Sequence, residues 1–435
     1  MSKSVKRYYL QLQPLTPIHI GSGEEVMPYE YIVEDNKYYR INLFDLINVL
    51  PPEKREELVN IMEKDLVELR SIVSDYNWKD STLYEANTSS DFSVDYHKNI
   101  KRSANNLAIN EFINSKMRPY IPGSSIKGAF RTAYIYKYAD NIYYDISRNR
   151  HGFFNVRGSR RKAQQIEGKT LNYRKIFGDP FQTVKFSDSS LNISNLKIYK
   201  TYSVNVKKAN TDGIPYYQEV IAGLLSSNIE QNIFLELSID IARQNCDYHK
   251  NTVKHSITAD KLLNATRSFS KKIIESELDY LRDKNTSNET IDIYKKLKSI
   301  SSDLDENQSL IRFGKGVGFN TTTLNLANEK TTVQPVSRVL ADSKYPMGWA
   351  IISLNEEKHD VSILNNKEIK EKSKELEKEK AEKIKKKKEK YPKLNDYIKG
   401  EYGEKTARKV AMRKLKGKVK LYNKYKKEYE EFLRN

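Results

Sequence analysis

Apolar and polar residues alternate from Tyr8 to Gln13, with Leu10 and Leu12 on one face. This predicts a first strand that Pro14 and Pro17 interrupt. A loop at Gly21-Ser22-Gly23 is expected next. Tyr31-Ile32-Val33 and Tyr38-Tyr39-Arg40-Ile41, joined by Glu34-Asp35-Asn36, predict a hairpin. Asn42 or Asp45 suits the start of a short helix, and Pro51-Pro52 the opening of a longer one over 53–73. Residues 82–106 are polar and are expected to form a mobile insertion. Ser124 or Ser125 is expected to cap a helix reaching about Tyr138, with Ile126, Phe130 and Ala133 on its buried face. Lys127 and Arg131, four apart, share another face.

Further strands are predicted over 184–187, 197–206, 216–221, 233–241, 310–313 and 350–354. The spacing of Leu262, Leu263, Phe269, Ile273, Leu278 and Leu281 predicts a helix over 259–281, and a second is expected over 291–304. Strands and helices mix without regular βαβα alternation. The expected class is therefore α+β with antiparallel sheets, not a doubly wound sheet.

Charge changes the picture in one respect. The 435 residues carry a net +19, which favours a polyanionic partner over a neutral small substrate. From Asn365 onward there are 26 basic and 13 acidic side chains, so +13 of that excess sits in the tail. The body is only mildly basic, and any phosphate contacts in it must be local. The tail is expected to be a charged helix or linker followed by a basic amphipathic helix. One cysteine, Cys246, excludes an internal disulfide framework and suits a reducing cytoplasm. No signal-like or membrane-spanning apolar run is seen.

Three distant segments join an apolar run to glycine or serine beside a cation or histidine. They are Thr16-Pro17-Ile18-His19-Ile20-Gly21-Ser22-Gly23-Glu24, Ile121-Pro122-Gly123-Ser124-Ser125-Ile126-Lys127-Gly128-Ala129-Phe130-Arg131, and Ile311-Arg312-Phe313-Gly314-Lys315-Gly316-Val317-Gly318-Phe319. Glycine admits close approach of a ligand, and amides in such turns suit phosphate oxygens. None fits a nucleotide fingerprint. The third lacks the G-x-G-x-x-G spacing, and the second has Ala129 and Phe130 where a P-loop needs Lys and Ser/Thr. His19 could serve as a general acid or base, as a contact, or structurally. Cys246, His249 and His255 match no common zinc spacing. Arginines from Arg148 to Arg161 interleave with Phe153 and Phe154, a pattern open to either nucleic-acid stacking or a charged loop.

The Gly-rich segment at Arg312–Phe319 resembles the loop of RAMP proteins of CRISPR systems. The order of the three segments, followed by Pro346-Met347-Gly348-Trp349, resembles the family of fifth Csm subunits of type III-A complexes over residues 8–354. The resemblance implies ferredoxin-like, RRM-related modules. Residues 1–240 would form an N-terminal module with insertions, 241–358 a helical insertion and a second RAMP-like portion with the Gly-rich loop, and 359–435 a charged helical tail. It implies a non-catalytic RNA-binding subunit that caps the 3′ side of the crRNA. Such a subunit would abut the backbone RAMP subunit and other Csm subunits, and would aid crRNA maturation while host nucleases trim it. The matching positions are His19, Gly21, Ser22, Gly23, Ser124, Ser125, Lys127, Arg131, Arg312, Gly314, Lys315, Gly316 and Gly318. No cofactor, metal or membrane is expected. The alternatives are a metal-independent endoribonuclease using His19, or a subunit that works mainly through protein contacts.

Overall fold

The computed structural model describes residues 5–357 apart from 63–67, 71–72, 74–77, 101–106, 141, 143–145, 149–153, 157–158, 174–177, 190–195, 208–212, 214, 246–255, 283, 285 and 330–332. The chain divides into two units, Met1–His359 and Asp360–Asn435. The expected tail helices, the Cys246–His255 group and the side chains of the 148–161 basic stretch lie outside the described residues.

Two sheets organise the first unit. One has the order Val184–Phe186, Ile233–Asp240, Val5–Pro14, Trp349–Asn355, Gln308–Arg312, antiparallel throughout. The strand nearest the N-terminus is therefore central, clamped between strands more than 200 residues away in sequence. Leu10 and Leu12 point with Leu235, Leu237, Ile311 and Ile352 into the main core. The helices Gly123–Tyr138 and Ala259–Leu281 pack against each other and cover that face. Thr258 caps the longer helix by accepting from the Lys261 amide.

The second sheet runs Gly21–Val26, Ile109–Phe112, Tyr216–Ile221, Leu196–Asn205, Thr82–Thr88, Lys37–Ile41, Tyr31–Glu34, with Ser337–Ala341 also joined to Leu196–Asn205. Two of its pairings are parallel, Leu196–Asn205 with Thr82–Thr88 and Tyr216–Ile221 with Ile109–Phe112. Asp35 and Asn36 both take positive φ in the tight turn of the expected hairpin. Asn42 caps the helix Leu43–Val49.

Three local expectations are corrected. Residues 82–99 are not a loose insertion: Thr82–Thr88 is an interior strand, and Ser90–Asn99 is a helix anchored by buried Phe92 and Tyr96. Two aromatics at i and i+4 suffice to dock a helix whose remaining surface is polar. Gly21-Ser22-Gly23 is not a loop but opens the edge strand Gly21–Val26, since strand pairing needs only main-chain groups. Neither Ser124 nor Ser125 is the N-cap. Pro122 holds that place, and the Gly123 amide is capped from outside by Asp188 Oδ1 at 2.7 Å.

Candidate functional site

The first and third glycine-rich segments meet. The Lys315 amide donates to the His19 carbonyl at 2.8 Å, and the Gly348 amide to the Pro17 carbonyl at 2.8 Å. Phe313 N–H donates to Gly348 O, while Leu15 and Thr16 N–H share Trp349 O. Thr16 Oγ1 accepts from the Trp349 amide at 3.0 Å. The expected Pro346–Trp349 segment thus lies between the other two. Several of the amides read as phosphate donors are spent on closing this three-part junction.

Left-handed backbone makes the junction possible. Gly314, Gly316, Gly318 and Gly348 have φ of 99°, 83°, 86° and 91°. Arg312 is buried below them. Its Nε donates to Met347 O at 2.9 Å, and its guanidinium lies over the Trp349 ring at 5.3 Å. It is a tie within the junction rather than an exposed ligand.

An open cleft of about 400 Å³ lies beside the junction, lined by Gly21, Gly23, Glu24, Glu25, Asn110, Glu111 and Lys315. Gly21, Ser22, Gly23 and Lys315 are exposed. Lys315 Nζ donates to Asn110 Oδ1 at 3.0 Å. The three carboxylates restrict a phosphate to the Lys315 side and offer acceptors elsewhere.

His19 is fully buried, edge-on to Phe112. Its Nδ1 sits 2.6 Å from the Glu219 carbonyl, which can only accept, so Nδ1 carries the proton and Nε2 a bare lone pair. Burial lowers the His19 pKa to about 4, so the ring is neutral near pH 7. Glu219 is itself buried. Its carboxyl accepts from Tyr84 Oη at 2.5 Å and from the Phe112 amide at 2.8 Å. One residue therefore ties Thr82–Thr88 and Ile109–Phe112 to the histidine whose carbonyl holds the Gly-rich turn.

Burial raises the Glu219 pKa to about 7, against the hydrogen bonds that favour the anion. The two buried groups act in opposite directions on stability. Between about pH 4.5 and 7 the unfolded chain ionises Glu219 while the fold keeps it protonated, so its contribution falls as pH rises. Between about pH 4 and 6.5 the unfolded chain protonates His19 while the fold keeps it neutral, so that contribution rises. Each is worth about 3 kcal/mol and the two nearly cancel. Glu219→Gln is expected to unmask His19, adding a rise of about 3 kcal/mol from pH 4 to 6.5 relative to the unaltered protein. Urea titrations across that range check this; parallel curves for the two proteins would refute it.

The second segment lies apart from this junction in its hydrogen bonding. Among the described residues, Ile121 N–H donates to Ser189 Oγ, and Gly123 is pressed against the strand Val184–Phe186. A Cβ on Gly123 would lie 2.3 Å from Phe186 O. Lys127 Nζ donates to Val184 O at 2.8 Å, and burial lowers its pKa. Arg131 bridges Asp179 at 2.7 Å and Glu167 at 2.9 Å, donates to Tyr173 Oη at 3.1 Å, and stacks on Phe181. Ser124 is exposed and Ser125 half-buried on the first helical turn.

Glu219, Tyr84, Asn110 and the Glu24, Glu25 and Glu111 rim escaped sequence reasoning. Glu219 alone carried a signal, as the charged residue inside the strand Tyr216–Ile221, whose other residues are aromatic or apolar apart from Gln218. No group of three or more potential metal ligands occurs among the described residues. No described helix is long and apolar enough to cross a membrane.

The model of the RAMP superfamily matches residues 11–322. A protein of Methanocaldococcus jannaschii named CRISPR system Cms protein Csm5 is 26% identical over 318 residues, 71% of this chain and 71% of that protein. One chain of a cryo-EM structure of a Csm–crRNA–target RNA ternary complex of a type III-A CRISPR-Cas system superposes with a TM-score of 0.58. It shares 19% identity and covers 80% of this chain and 100% of that chain. The crystal structure of T. onnurineus Csm5 gives a TM-score of 0.53 at 19% identity, covering 78% and 99%. At that identity these likenesses establish a common fold.

Proposed function

The chain belongs to the RAMP superfamily, and on that premise we propose that it is an RNA-binding subunit of a type III-A CRISPR ribonucleoprotein, acting in the cytoplasm. In this reading it caps the 3′ side of the crRNA beside the backbone RAMP subunit and other Csm subunits. It holds the RNA while host nucleases trim it. The likeness to a Csm5 protein over 71% of both chains and to a chain of a Csm–crRNA complex supports this reading.

The observation that carries it is the closure of Pro17–Gly23 onto Arg312–Gly318, which leaves exposed glycines and the exposed Lys315 ammonium, held by Asn110, on a shared cleft. Lys315 is the cation placed to neutralise a phosphate there. Arg312 braces the junction itself, while Lys127 and Arg131 fix the separate helix Gly123–Tyr138 to Val184, Glu167 and Asp179. His19 is neutral near pH 7 with its proton on Nδ1, so Nε2 has no proton to give a leaving oxygen, which favours a binding part over that of a general acid.

Lys315→Glu is expected to weaken binding to repeat-derived RNA about tenfold and to lower the slope of log K against log salt by about one. Fluorescence anisotropy at several salt concentrations tests this. Unchanged affinity and slope would remove Lys315 from the RNA path.

A further inference from the structure

His19 leaves one chemical loose end. Its Nδ1–H is committed to the Glu219 carbonyl, so Nε2 is an acceptor, and that atom is buried with no hydrogen-bond partner. An unpartnered buried acceptor is costly and calls for a donor. What lies next to Nε2 is Gly21, which lines the cleft and has no side chain. An atom at the position of a Gly21 Cβ would stand 3.1 Å from Nε2 and 3.8 Å from the Gly23 amide, and, its chain neighbours aside, the three atoms nearest to it belong to His19 and Gly23. Gly21 sits on an exposed edge strand whose register shifts between Gly21 and Glu25. Access to Nε2 from the cleft requires Gly21 to move outward.

The chemistry of the surroundings selects the occupant. A phosphate oxygen cannot donate to Nε2, and Glu24, Glu25 and Glu111 disfavour an anion on that side of the cleft. All four groups are acceptors, and they face a ligand that must bring hydroxyl or amino hydrogens. Lys315, on the same cleft, supplies the one place for the adjoining phosphate. The donor that every RNA nucleotide carries next to its phosphate, whatever its base, is the ribose 2′-hydroxyl.

We propose that His19 Nε2, reached past Gly21, accepts a hydrogen bond from a ribose 2′-hydroxyl and so makes this cleft distinguish RNA from DNA. This deepens, and rests on, the reading of the chain as an RNA-binding subunit. His19 then has two linked roles: its carbonyl holds the Gly-rich turn, and its ring reads the sugar.

The test compares binding of the full chain to one repeat-derived sequence made as RNA and as DNA, by anisotropy at fixed salt. Two variants are used. His19→Asn keeps a short donor toward the Glu219 carbonyl but removes the Nε2 position. Gly21→Ala fills the space over Nε2, at a residue whose φ an alanine can adopt. The unaltered protein is expected to prefer RNA about tenfold, and both variants to lose most of that preference, RNA binding falling much more than DNA binding. A single 2′-deoxy substitution that reproduces the loss would place the hydroxyl. If folded Gly21→Ala keeps the full RNA preference, the proposal is overturned while the RNA-binding reading stands. If His19→Asn fails to fold, Gly21→Ala decides alone. Absence of any RNA affinity in the unaltered protein overturns both.

Discussion

Glu277→Ala is expected to cost about 3–5 kcal/mol, a large part of the stability of a domain this size. Glu277 lies on the buried side of the helix Ala259–Leu281 and meets Arg338 of Ser337–Ala341 at 2.7 Å, with both side chains almost wholly enclosed. Arg338 also donates to Pro335 O and Ser337 O and lies over the Tyr280 ring. Removing the carboxylate leaves a buried guanidinium without its counter-charge. Replacing both partners, Glu277→Leu with Arg338→Met, is expected to recover most of the loss, because no charge is then stranded. Denaturant melts of the single and double variants decide it. A single-variant loss under about 1 kcal/mol would mean that water reaches the pair. The effect extends to the candidate site. Val339 of that strand is the bed of the Gly-rich turn, where a Cβ on Gly316 would lie 2.9 Å from Val339 Cγ1.

Gly314→Ala should be among the most damaging small changes at the site. With φ at 99°, its Cβ would stand 2.6 Å from the His19 carbonyl oxygen, the same oxygen that accepts from the Lys315 amide. Backbone strain and clash together are expected to cost about 2–4 kcal/mol. RNA affinity should fall by more than about tenfold, because the first and third segments are pushed apart. Gly318→Ala is the internal comparison. Its φ is also left-handed at 86°, but nothing lies within 4 Å of the added carbon, so only about 1–2 kcal/mol of strain is expected. Melting and RNA titration of the two variants side by side separate close approach from mere backbone conformation. Equal behaviour would show that the two segments need not touch.

Much of the fold was legible because its apolar positions are regular. The helix Ala259–Leu281 and the strand Tyr216–Ile221 follow period and cap with little interference. The region 82–99 was hidden by its exposure: Thr82–Thr88 buries few of its side chains, and its stability comes from neighbours on both edges. At the site, the motifs themselves were legible but not their meeting, since hydrogen bonds from Pro17 to Gly348 or from His19 to Lys315 leave no local trace. Lys127 and Arg131 read as ligands because a helix shows its own cations. Their partners Asp179, Glu167 and Val184 come from other elements. His19, beside two glycines, read equally as an acid or base, a contact or a structural residue, because the carbonyl that fixes it is 200 positions away.

The clamping of the N-terminal strand by Trp349–Asn355 has a consequence for synthesis. The Leu15 and Thr16 amides, the Thr16 hydroxyl and the Pro17 carbonyl find their partners in residues 348 and 349, so this early segment cannot close its junction until those residues have been translated. A prematurely terminated polypeptide lacks the junction altogether. Only polypeptides that extend through residue 349 can close the junction beside the cleft, so topology alone withholds it from shorter translation products.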